Sequence, residues 1–470
     1  MSEEKQDRAD ALRSRLRGSK SGELAAWHRA RSRTPAREPE RNAPRSAESL
    51  SVKGELQRRL LDEMAGRDLL AAEETQVSSL VRDFAARTLA EEELALNESE
   101  RRDLVDELEE EALGVGPLAP LMADPAVTDI LVNGPDRVFV ERFGRLERTA
   151  VRFRDDAHIA RVIERIAARV GRRIDTAQPM ADLRLPDGSR VNATLPPISP
   201  DGPTLSIRRF GRRRIRRTDL LKVGALSEPM AEFLTVAVRY RRNVLISGGT
   251  GAGKSTLLGA LAEAIPAQER IVTIEDTLEL MLDQVHVVRL ETRPENTEGV
   301  GRIGQRELVV NSLRMRPDRI IVGEVRGAEA LDMLQAMNTG HEGSLCTIHA
   351  NSPRDALARL ETLVLMAGMD LPSRAIREQI VAALDLVVHV QRDEDGRRRV
   401  TRIAEVVGLE GDTPLLQDLF VFQRSGVERG RVLGAFTATG IVPRCAQLLR
   451  ERGAELPMQW FQTASGGSRA

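Results

Sequence analysis

The sequence predicts an α/β fold, in which a domain built on a mostly parallel sheet follows a small α+β domain and an N-terminal helical region. Three observations carry this prediction. Between residues 243 and 409, short apolar segments alternate with helical ones, which is typical of parallel strands joined by crossover helices. A glycine-rich loop at residues 248–256 follows the first of these apolar segments. Residues 128–208 carry several short strand patterns around one helical pattern.

Composition narrows the class of protein. The 470 residues are 41% hydrophobic and 30% charged with a formal net charge of −1, so no overall field attracts nucleic acid or acidic membranes. The two cysteines, Cys346 and Cys445, cannot supply a four-ligand zinc site, and we expect a reducing compartment. The N-terminus is too polar for a secretory signal and no apolar run is long enough for a membrane span, so we expect any membrane association to run through partners.

The first 113 residues divide into two parts. Residues 1–50 are rich in Arg, Ser, Pro and Glu and are predicted to be a disordered tail, with a short basic helix at residues 9–17 as the alternative. In residues 51–113, apolar residues recur at helical spacing in three groups, which predicts three amphipathic helices. The groups begin at Leu56, Val77 and Leu104, and a Gly-Val-Gly-Pro segment at residues 114–117 ends the last helix.

The α+β domain is expected over residues 114–210. Its predicted helix covers residues 155–170, and its predicted strands cover residues 128–132, 137–141, 145–153, 183–185 and 190–195. Seven arginines then crowd into residues 208–217, which overlap a predicted arginine-rich interdomain linker at 211–225. The remaining residues, 226–470, form the parallel-sheet domain with a C-terminal extension, and its strands are predicted at 243–247, 271–274, 285–290, 320–322, 345–348 and 386–391.

The glycine-rich loop has the pattern GxxxxGK[ST] between a strand and a helix. In that context the loop backbone surrounds phosphates, Lys254 adds a positive charge and the Ser255 hydroxyl can bind Mg²⁺. A chance glycine-rich turn is the alternative, but the strand, the loop and the helix all match. We therefore expect a nucleoside triphosphate site built from nine consecutive residues: Gly248, Gly249, Thr250, Gly251, Ala252, Gly253, Lys254, Ser255 and Thr256.

Two predicted parallel strands end in carboxylates, and parallel strands deliver ligands at their carboxyl ends. Glu275 and Asp276 follow one strand and could hold a hydrated Mg²⁺ or orient water, unless Asp276 caps a helix instead. Glu324 follows the other strand and could accept a proton from attacking water or support the metal. The alternative for Glu324 is an ion pair with Arg326.

Histidines and arginines complete the predicted site. His341 and His349 flank a short strand, where one could contact the γ-phosphate, although a lone histidine is more often structural. Arg190 and Arg208 could reach a phosphate across a domain or subunit boundary, with Arg209 as a further candidate. The arginine run could instead be a solvated or nucleic-acid-binding patch. Aromatic residues make up only 3% of the chain, which leaves little material for stacking bases.

Six segments together resemble one family, the type II/type IV secretion ATPase superfamily, and in particular its CpaF-like (TadA-like) branch of the tight-adherence, or Flp, pilus system. The similarity runs from about residue 112 to the C-terminus and includes residues 127–134. The segments are Ile-Glu-Asp-Thr at 274–277, residues 286–293, Leu-Arg-Met-Arg-Pro-Asp at 313–318, Gly-Glu-Val-Arg-Gly at 323–327, residues 337–343, and residues 347–353.

The resemblance implies a cytoplasmic homohexameric ring that hydrolyses ATP with Mg²⁺. It implies a RecA-like ATPase domain joined flexibly to a PAS-like N-terminal domain, with nucleotide between them and an inner-membrane platform protein as partner. Carried over by motif, residues 248–255 are the Walker A segment. The Asp-box acids are Glu275 and Asp276, the Walker B glutamate is Glu324, the His-box histidines are His341 and His349, and the arginine candidates are Arg190 and Arg208.

Two departures from the wider family pattern bear on the interpretation. The tetracysteine region of many relatives is missing, which predicts no zinc and fits the CpaF-like branch. Cys346 stands where the family pattern has Thr, a change between small residues that we do not expect to abolish activity. The competing hypotheses are a RecA-like nucleic-acid motor and a non-catalytic nucleotide-gated scaffold. The near-zero net charge disfavours the first, and the intact acids and Lys254 disfavour the second.

Overall fold

The computed structural model describes residue 59 and residues 74–91, 98–142, 144–209, 214–293, 295, 300–368 and 371–463. The chain forms two compact units, Met1–Leu113 and Gly114–Ala470. The tail predicted for residues 1–50 and most of the first predicted helix lie outside the described residues. No helix among the residues described is long and apolar enough to cross a bilayer.

The first unit contains two helices, α1 (Glu74–Glu91) and α2 (Glu98–Leu113), which pack against each other. Val81 and Leu108 are fully buried apolar residues on these helices, as the helical spacing predicts. Glu109 of α2 accepts hydrogen bonds from Ser78 at 2.8 Å and from Arg82 at 2.7 Å, both on α1. The pair is therefore held by apolar packing with polar contacts at its edge.

The second unit begins with an antiparallel sheet, called the N-terminal sheet here, whose six described strands run in the order β3-β2-β1-β6-β5-β4. Helix α4 packs its apolar side on this sheet, and Asp155 caps that helix by accepting from the backbone N–H of His158 at 2.6 Å. The elements are α3 (Ala119–Ala123), β1 (Val127–Val132), β2 (Val138–Arg142), β3 (Arg145–Arg148), α4 (Asp156–Arg169), β4 (Met180–Arg184), β5 (Arg190–Thr194) and β6 (Thr204–Arg208).

Strand β6 is absent from the sequence prediction, yet it lies in the centre of the N-terminal sheet between β1 and β5. Its five residues follow a stretch with prolines at 196, 197, 200 and 203, which reads as loop. The predicted strand at 145–153 is shorter in the structure and ends at Arg148. Strand β6 matters for function because it ends at Arg208.

The predicted linker at 211–225 contains a short helix, α5 (Arg217–Lys222), rather than loop alone. The arginines of this segment make ion pairs with the domain that follows. Arg214 pairs with Glu263 at 3.1 Å and also with Asp283, while Arg217 pairs with Glu232. These arginines of the run therefore bind acidic side chains of the following domain, while residues 210–213 lie outside the described part.

The second sheet of this unit, called the central sheet, has nine described strands in the order β15-β14-β13-β12-β7-β11-β10-β8-β9. The six strands from β12 to β9 are parallel, as predicted, and apolar clusters cover both faces. The parallel strands are β7 (Val244–Gly248), β8 (Ile271–Glu275), β9 (Val287–Glu291), β10 (Arg319–Val325), β11 (Leu345–His349) and β12 (Leu386–Arg392).

Helices cover both faces of the central sheet. On β7, Val244 and Ile246 point into one apolar cluster and Leu245 into the other, so the strand is buried on both sides. The helices are α6 (Glu228–Arg239), α7 (Lys254–Ala262), α8 (Gln305–Ser312), α9 (Glu329–Asn338), α10 (Pro353–Met366), α11 (Ser373–Ala383) and α12 (Cys445–Glu451).

The C-terminal extension is an antiparallel addition to the same sheet, which the sequence did not indicate. Strands β13 (Arg398–Glu410), β14 (Thr413–Glu428) and β15 (Arg431–Ala438) continue from β12 as a meander. Their burial is mostly partial, and the polar stretches between their apolar residues hide their length. The turn from β12 to β13 brings Arg392 and Arg398 beside the phosphate loop.

Candidate active site

The glycine-rich loop joins the buried strand β7 to helix α7. Gly248 is packed so closely that a Cβ would lie 2.3 Å from the carbonyl oxygen of Val390 on β12, which only glycine tolerates. Gly251 and Gly253 adopt positive φ angles of 67° and 99°, and α7 begins at Lys254 immediately afterwards. The turn therefore delivers the N-terminal end of a helix to the carboxyl edge of the central sheet, the arrangement that binds phosphates.

Lys254 is held by the loop it ends. Its Nζ donates hydrogen bonds to the carbonyl oxygens of Gly248 and Gly249, both at 3.1 Å, and lies 4.0 Å from Oε1 of Glu324. Burial lowers the pKa of Lys254, and the neighbouring Glu324 opposes that shift. The ammonium group thus lies between the loop backbone and the end of β10.

Glu324 lies at the end of β10 and faces the loop. Arg326 donates to Glu324 at 2.5 Å and to Asp276 at 3.1 Å, so one guanidinium joins the carboxylates of two strand ends. The ion pair considered as the alternative for Glu324 is therefore present, together with the proximity to Lys254. Glu324 has 22% of its side chain exposed, which leaves it accessible from the cleft.

The Glu275 carboxylate hydrogen-bonds to backbone N–H groups and does not line the cleft of the phosphate loop. It is only 3% exposed, and its Oε2 accepts hydrogen bonds from the backbone N–H groups of Glu279 at 2.7 Å and Leu280 at 2.9 Å. Burial raises the pKa of Glu275, and these two hydrogen bonds oppose the shift. Asp276 is turned toward Arg326. Of the three predicted metal ligands, the structure brings only Ser255 to the wall of the loop's cleft.

The two predicted histidines lie at opposite ends of β11. His349 is the last residue of the strand, pairs in register with Gly248 and lines the cleft of the loop. His341 precedes the strand at its other end, where its backbone N–H donates to Ala336 at 3.3 Å. A five-residue strand spans roughly 16 Å. The two histidines do flank this strand, as the sequence predicts, and of the two only His349 lines the cleft of the loop.

The two predicted arginines come from the N-terminal sheet and face the loop from across a cleft. Arg208 at the end of β6 donates to Asp129 at 3.2 Å, and Arg190 on β5 lies 3.4 Å from Glu279, in the segment that follows β8. Arg209 differs, because its guanidinium donates to backbone carbonyls of the N-terminal sheet, including that of Val127 at 2.9 Å. Arg209 is therefore structural.

These groups enclose a space of about 850 Å³, called the phosphate-loop cleft here. Its walls are residues 250–256 on one side and Arg190 and Arg208 on the other. Among the described residues, nine lysine or arginine side chains and four carboxylates line this cleft. Such an excess of cations fits a polyanionic ligand such as a nucleoside triphosphate. A second cleft of about 740 Å³ lies beyond Arg190 and Arg208 and includes Asp276 and Thr292.

Three arginines that line the phosphate-loop cleft are not predicted from the sequence. Arg359 on α10, Arg392 at the end of β12 and Arg398 at the start of β13 all line it. Arg398 donates from Nε to the carbonyl of Gly251 at 2.8 Å. Their only sequence signal was proximity to other charged residues, and that signal does not separate them from surface arginines.

The sequence comparisons agree with this geometry. The family model described as "Type II/IV secretion system protein" matches residues 111–429, which is more than half of the chain. The chain belongs to this family of secretion ATPases. As a member, it binds nucleotide and hydrolyses ATP. The matched residues include the whole phosphate-loop cleft described above, so the cleft is where the family activity would be sought first.

Relatives of this secretion ATPase include conjugal transfer proteins and a type IV secretion system protein. A putative conjugal transfer protein of Mycobacterium tuberculosis is 42% identical over 65% of this chain and 88% of the relative. The conjugal transfer protein TrbB of Rhizobium radiobacter is 37% identical, over 63% and 87%. The type IV secretion system protein VirB11 of Bartonella quintana is 30% identical, over 61% and 90%.

Solved structures similar to this secretion ATPase include the VirB11 ATPase of Brucella suis in complex with sulphate, at 30% identity and a TM-score of 0.34 over 61% of this chain and 94% of that chain. The Legionella pneumophila ATPase DotB has 21% identity and a TM-score of 0.44, over 62% and 80%. The family assignment rests on the sequence matches.

Proposed function

We propose that this secretion ATPase is the motor of the CpaF-like (TadA-like) branch, which drives assembly of a tight-adherence (Flp) pilus or secretion through an inner-membrane platform. One observation carries the motor assignment. Lys254 and Glu324 lie 4.0 Å apart in a cleft, and the opposite wall of that cleft is the N-terminal sheet. The segment at residues 127–134, with the missing tetracysteine region, supports the branch.

The residues of the cleft suggest a division of labour. Residues 248–256 would surround the phosphates, and Lys254 would move from the loop carbonyls to the β- and γ-phosphate oxygens. Ser255 fits the single hydroxyl ligand that Mg²⁺ takes in such sites, the other ligands being phosphate oxygens and water. Bound there, Mg²⁺ would neutralise charge that develops on the phosphates. Glu275 and Asp276 would act indirectly, through the loop at 276–280 and through Arg326.

The attacking water would lie near Glu324 and give up its proton to this carboxylate. His349 would approach the γ-phosphate from the neighbouring strand. Arg208 and Arg190 would stabilise charge in the transition state, because they reach the cleft from the N-terminal sheet. Hydrolysis would then be coupled to the distance between the N-terminal sheet and the phosphate loop, which is how a chemical step could become motion.

The assembly we propose is a cytoplasmic homohexamer that meets the membrane through partner proteins and does not act on nucleic acid. The family assignment and the name of a relative, a type IV secretion system protein, support an assembly at the membrane. The net charge of −1 and the 3% of aromatic residues disfavour action on nucleic acid. In a hexamer, His341 would act toward a neighbouring subunit, since this histidine does not line the cleft of its own chain.

The experiment is a steady-state ATPase assay of the purified full chain, with and without single-stranded DNA, beside Lys254→Ala. We expect turnover that DNA leaves unchanged within twofold and that Lys254→Ala reduces to background. Turnover of the variant within threefold of the wild type would overturn the phosphate-loop assignment. Stimulation by DNA of tenfold or more would instead support the nucleic-acid motor.

A further inference from the structure

Two arginines and two acids meet at the crest of the phosphate loop, where the N-terminal sheet and the central sheet come together. Arg392 and Arg398 are register partners that close the β12–β13 hairpin. Asp129 and Glu141 are register partners on β1 and β2. Like charges directly opposite each other in a sheet are unfavourable, so each pair needs counter-ions. Here each pair can supply counter-ions to the other.

Glu141 lies between the two arginines. Its Oε1 is 3.7 Å from Nη2 of Arg398 and 3.9 Å from Nη1 of Arg392, and only 18% of its side chain is exposed. Arg392 also donates to the backbone carbonyl of Gly144, which follows β2. Asp129, the register partner of Glu141, is occupied by Arg208 at 3.2 Å. The β12–β13 hairpin is therefore tied to the N-terminal sheet through the Glu141 carboxylate and the Gly144 carbonyl.

Arg398 carries the connection from Glu141 to the phosphate loop. While Nη2 faces Glu141, Nε donates to the carbonyl of Gly251 at 2.8 Å. The Cβ of an alanine at Gly253 would lie 3.2 Å from Cδ of Arg398, so the arginine stem also packs on the loop. Lys254 holds the carbonyls at the start of the loop, and Arg398 holds the carbonyl at its crest.

We propose that Arg398 is a positioning residue for the phosphate loop and that Glu141 sets its strength, which couples the N-terminal sheet to nucleotide affinity. Glu141 lines the same cleft as Arg392 and Arg398 and offsets part of their positive charge there. Neutralising Glu141 releases that charge toward the phosphates, and removing Arg398 frees the crest of the loop. The inference rests on nucleotide binding at this loop but not on the identity of the machine.

The experiment is a double-mutant cycle on the full chain, read as the dissociation constant of Mg²⁺ and a fluorescent ADP analogue. We expect Glu141→Gln to tighten binding about threefold, because the Arg398 guanidinium loses its competing carboxylate and holds the loop and its phosphates more strongly. Arg398→Ala should weaken binding about tenfold, since a charge-assisted hydrogen bond to the loop is lost, and Arg398→Lys should recover part of this loss. In the Arg398→Ala background, Glu141→Gln should change affinity by less than 1.5-fold. Because a tenfold change in affinity corresponds to 1.4 kcal/mol, this limit is about 0.25 kcal/mol.

Matched controls separate this role from general electrostatics. Glu147→Gln alters an acid of the same sheet outside the cleft, and Arg402→Ala alters an arginine on the same strand as Arg398 that pairs with Asp418. Both should leave affinity unchanged. Equal effects of Glu141→Gln in both backgrounds, or weakened binding by Glu141→Gln alone, would overturn the proposal.

Two further results sharpen the test. If the effect of Glu141→Gln disappears only when Arg392 is replaced, Arg398 is not the coupling residue and the proposal fails. If Lys254→Ala abolishes binding of the ADP analogue while the Glu141 and Arg398 effects are additive, the nucleotide site stands and only the coupling is wrong.

Discussion

Lys254 and Glu324 face each other at 4.0 Å, although 70 positions separate them in the sequence. One begins the helix after the phosphate loop and the other ends a strand two places along the central sheet. Because parallel strands place their carboxyl ends at one edge, the cation for phosphates and a carboxylate for water arrive together.

We predict that Glu324→Gln keeps nucleotide affinity within about threefold but lowers turnover by a factor of roughly 10²–10⁴. The amide retains the shape of the side chain and cannot accept a proton. Steady-state ATPase kinetics and binding of a labelled nucleotide would measure the two effects.

Glu275→Gln is the matched control for Glu324→Gln, because it makes the same change in the neighbouring strand end. We expect a loss of less than tenfold in turnover and a lower melting temperature, since Glu275 holds two backbone N–H groups. An inactive Glu275→Gln beside a normal Glu324→Gln would transfer the base role to Glu275.

We predict that Arg208→Ala lowers turnover by about 10³ or more with a smaller effect on nucleotide affinity, as for an arginine that stabilises transition-state charge. The control is Arg216→Ala, whose side chain is 62% exposed and pairs with Asp283 at 3.4 Å. An exposed pair of this kind contributes about 0–1 kcal/mol, so little change is expected. Small, equal effects of both variants would pass the role to Arg190.

A stability prediction concerns Arg319, the first residue of β10, which is 0% exposed. Its Nε lies 2.5 Å from Glu269, and Nη1 donates to the carbonyls of Val238 at 2.8 Å and Gly343 at 2.9 Å. Arg319→Met should cost about 3 kcal/mol of unfolding free energy, because buried acceptors lose their partner.

Arg306→Met is the control for Arg319→Met, since Arg306 pairs with Asp332 at 3.0 Å but is 43% exposed. It should cost less than about 1 kcal/mol. Urea denaturation of both variants measures the difference, and equal costs would contradict the buried role of Arg319.

A pH prediction concerns His389 on β12, which is 5% exposed and hydrogen-bonded through Nδ1 to Ser247 at 2.9 Å. Burial lowers the pKa of His389 to about 4, with Arg402 lowering it further and Asp355 opposing the shift. The unfolded chain, with a histidine pKa of 6.5, binds more protons between pH 4 and 6.5. Stability from this residue is therefore present above pH 6.5 and declines as the pH falls toward 4.

The size of the His389 effect follows from the same linkage. Between pH 7 and pH 5, wild type should lose about 2 kcal/mol more unfolding free energy than His389→Gln, which does not titrate. Urea denaturation at the two pH values measures this double difference. Parallel losses in both proteins would show that His389 is not buried in its neutral form.

The sequence predicted the parts of the site that lie within one segment or at strand ends. The phosphate loop could be predicted because its nine residues are adjacent in the sequence. Glu324 could be predicted because it follows an apolar strand. His349 and His341 could not be separated, since their distance from the loop depends on the direction in which β11 runs through the sheet. The position of Glu275 at a strand end predicts a metal ligand, but the sequence does not reveal that its carboxylate accepts hydrogen bonds from the backbone N–H groups of Glu279 and Leu280.

Arg398 shows why other residues could not be predicted. It stands in a run of arginines at 397–399, and its neighbour Arg399 is buried against Asp393 and Asp395 in a wholly structural role. Nothing local distinguishes the two. The difference arises because β12 lies beside β7, so that the hairpin turn meets a loop almost 150 positions earlier in the chain.

Arg190 and Arg208 line both the phosphate-loop cleft and the second cleft beyond it. They therefore form a wall that the two chambers share, and a rotation of these side chains alters both chambers at once. Linkage requires such an effect to run both ways: whatever occupied the second chamber and held the wall would change nucleotide affinity, and nucleotide would change that occupancy by the same factor.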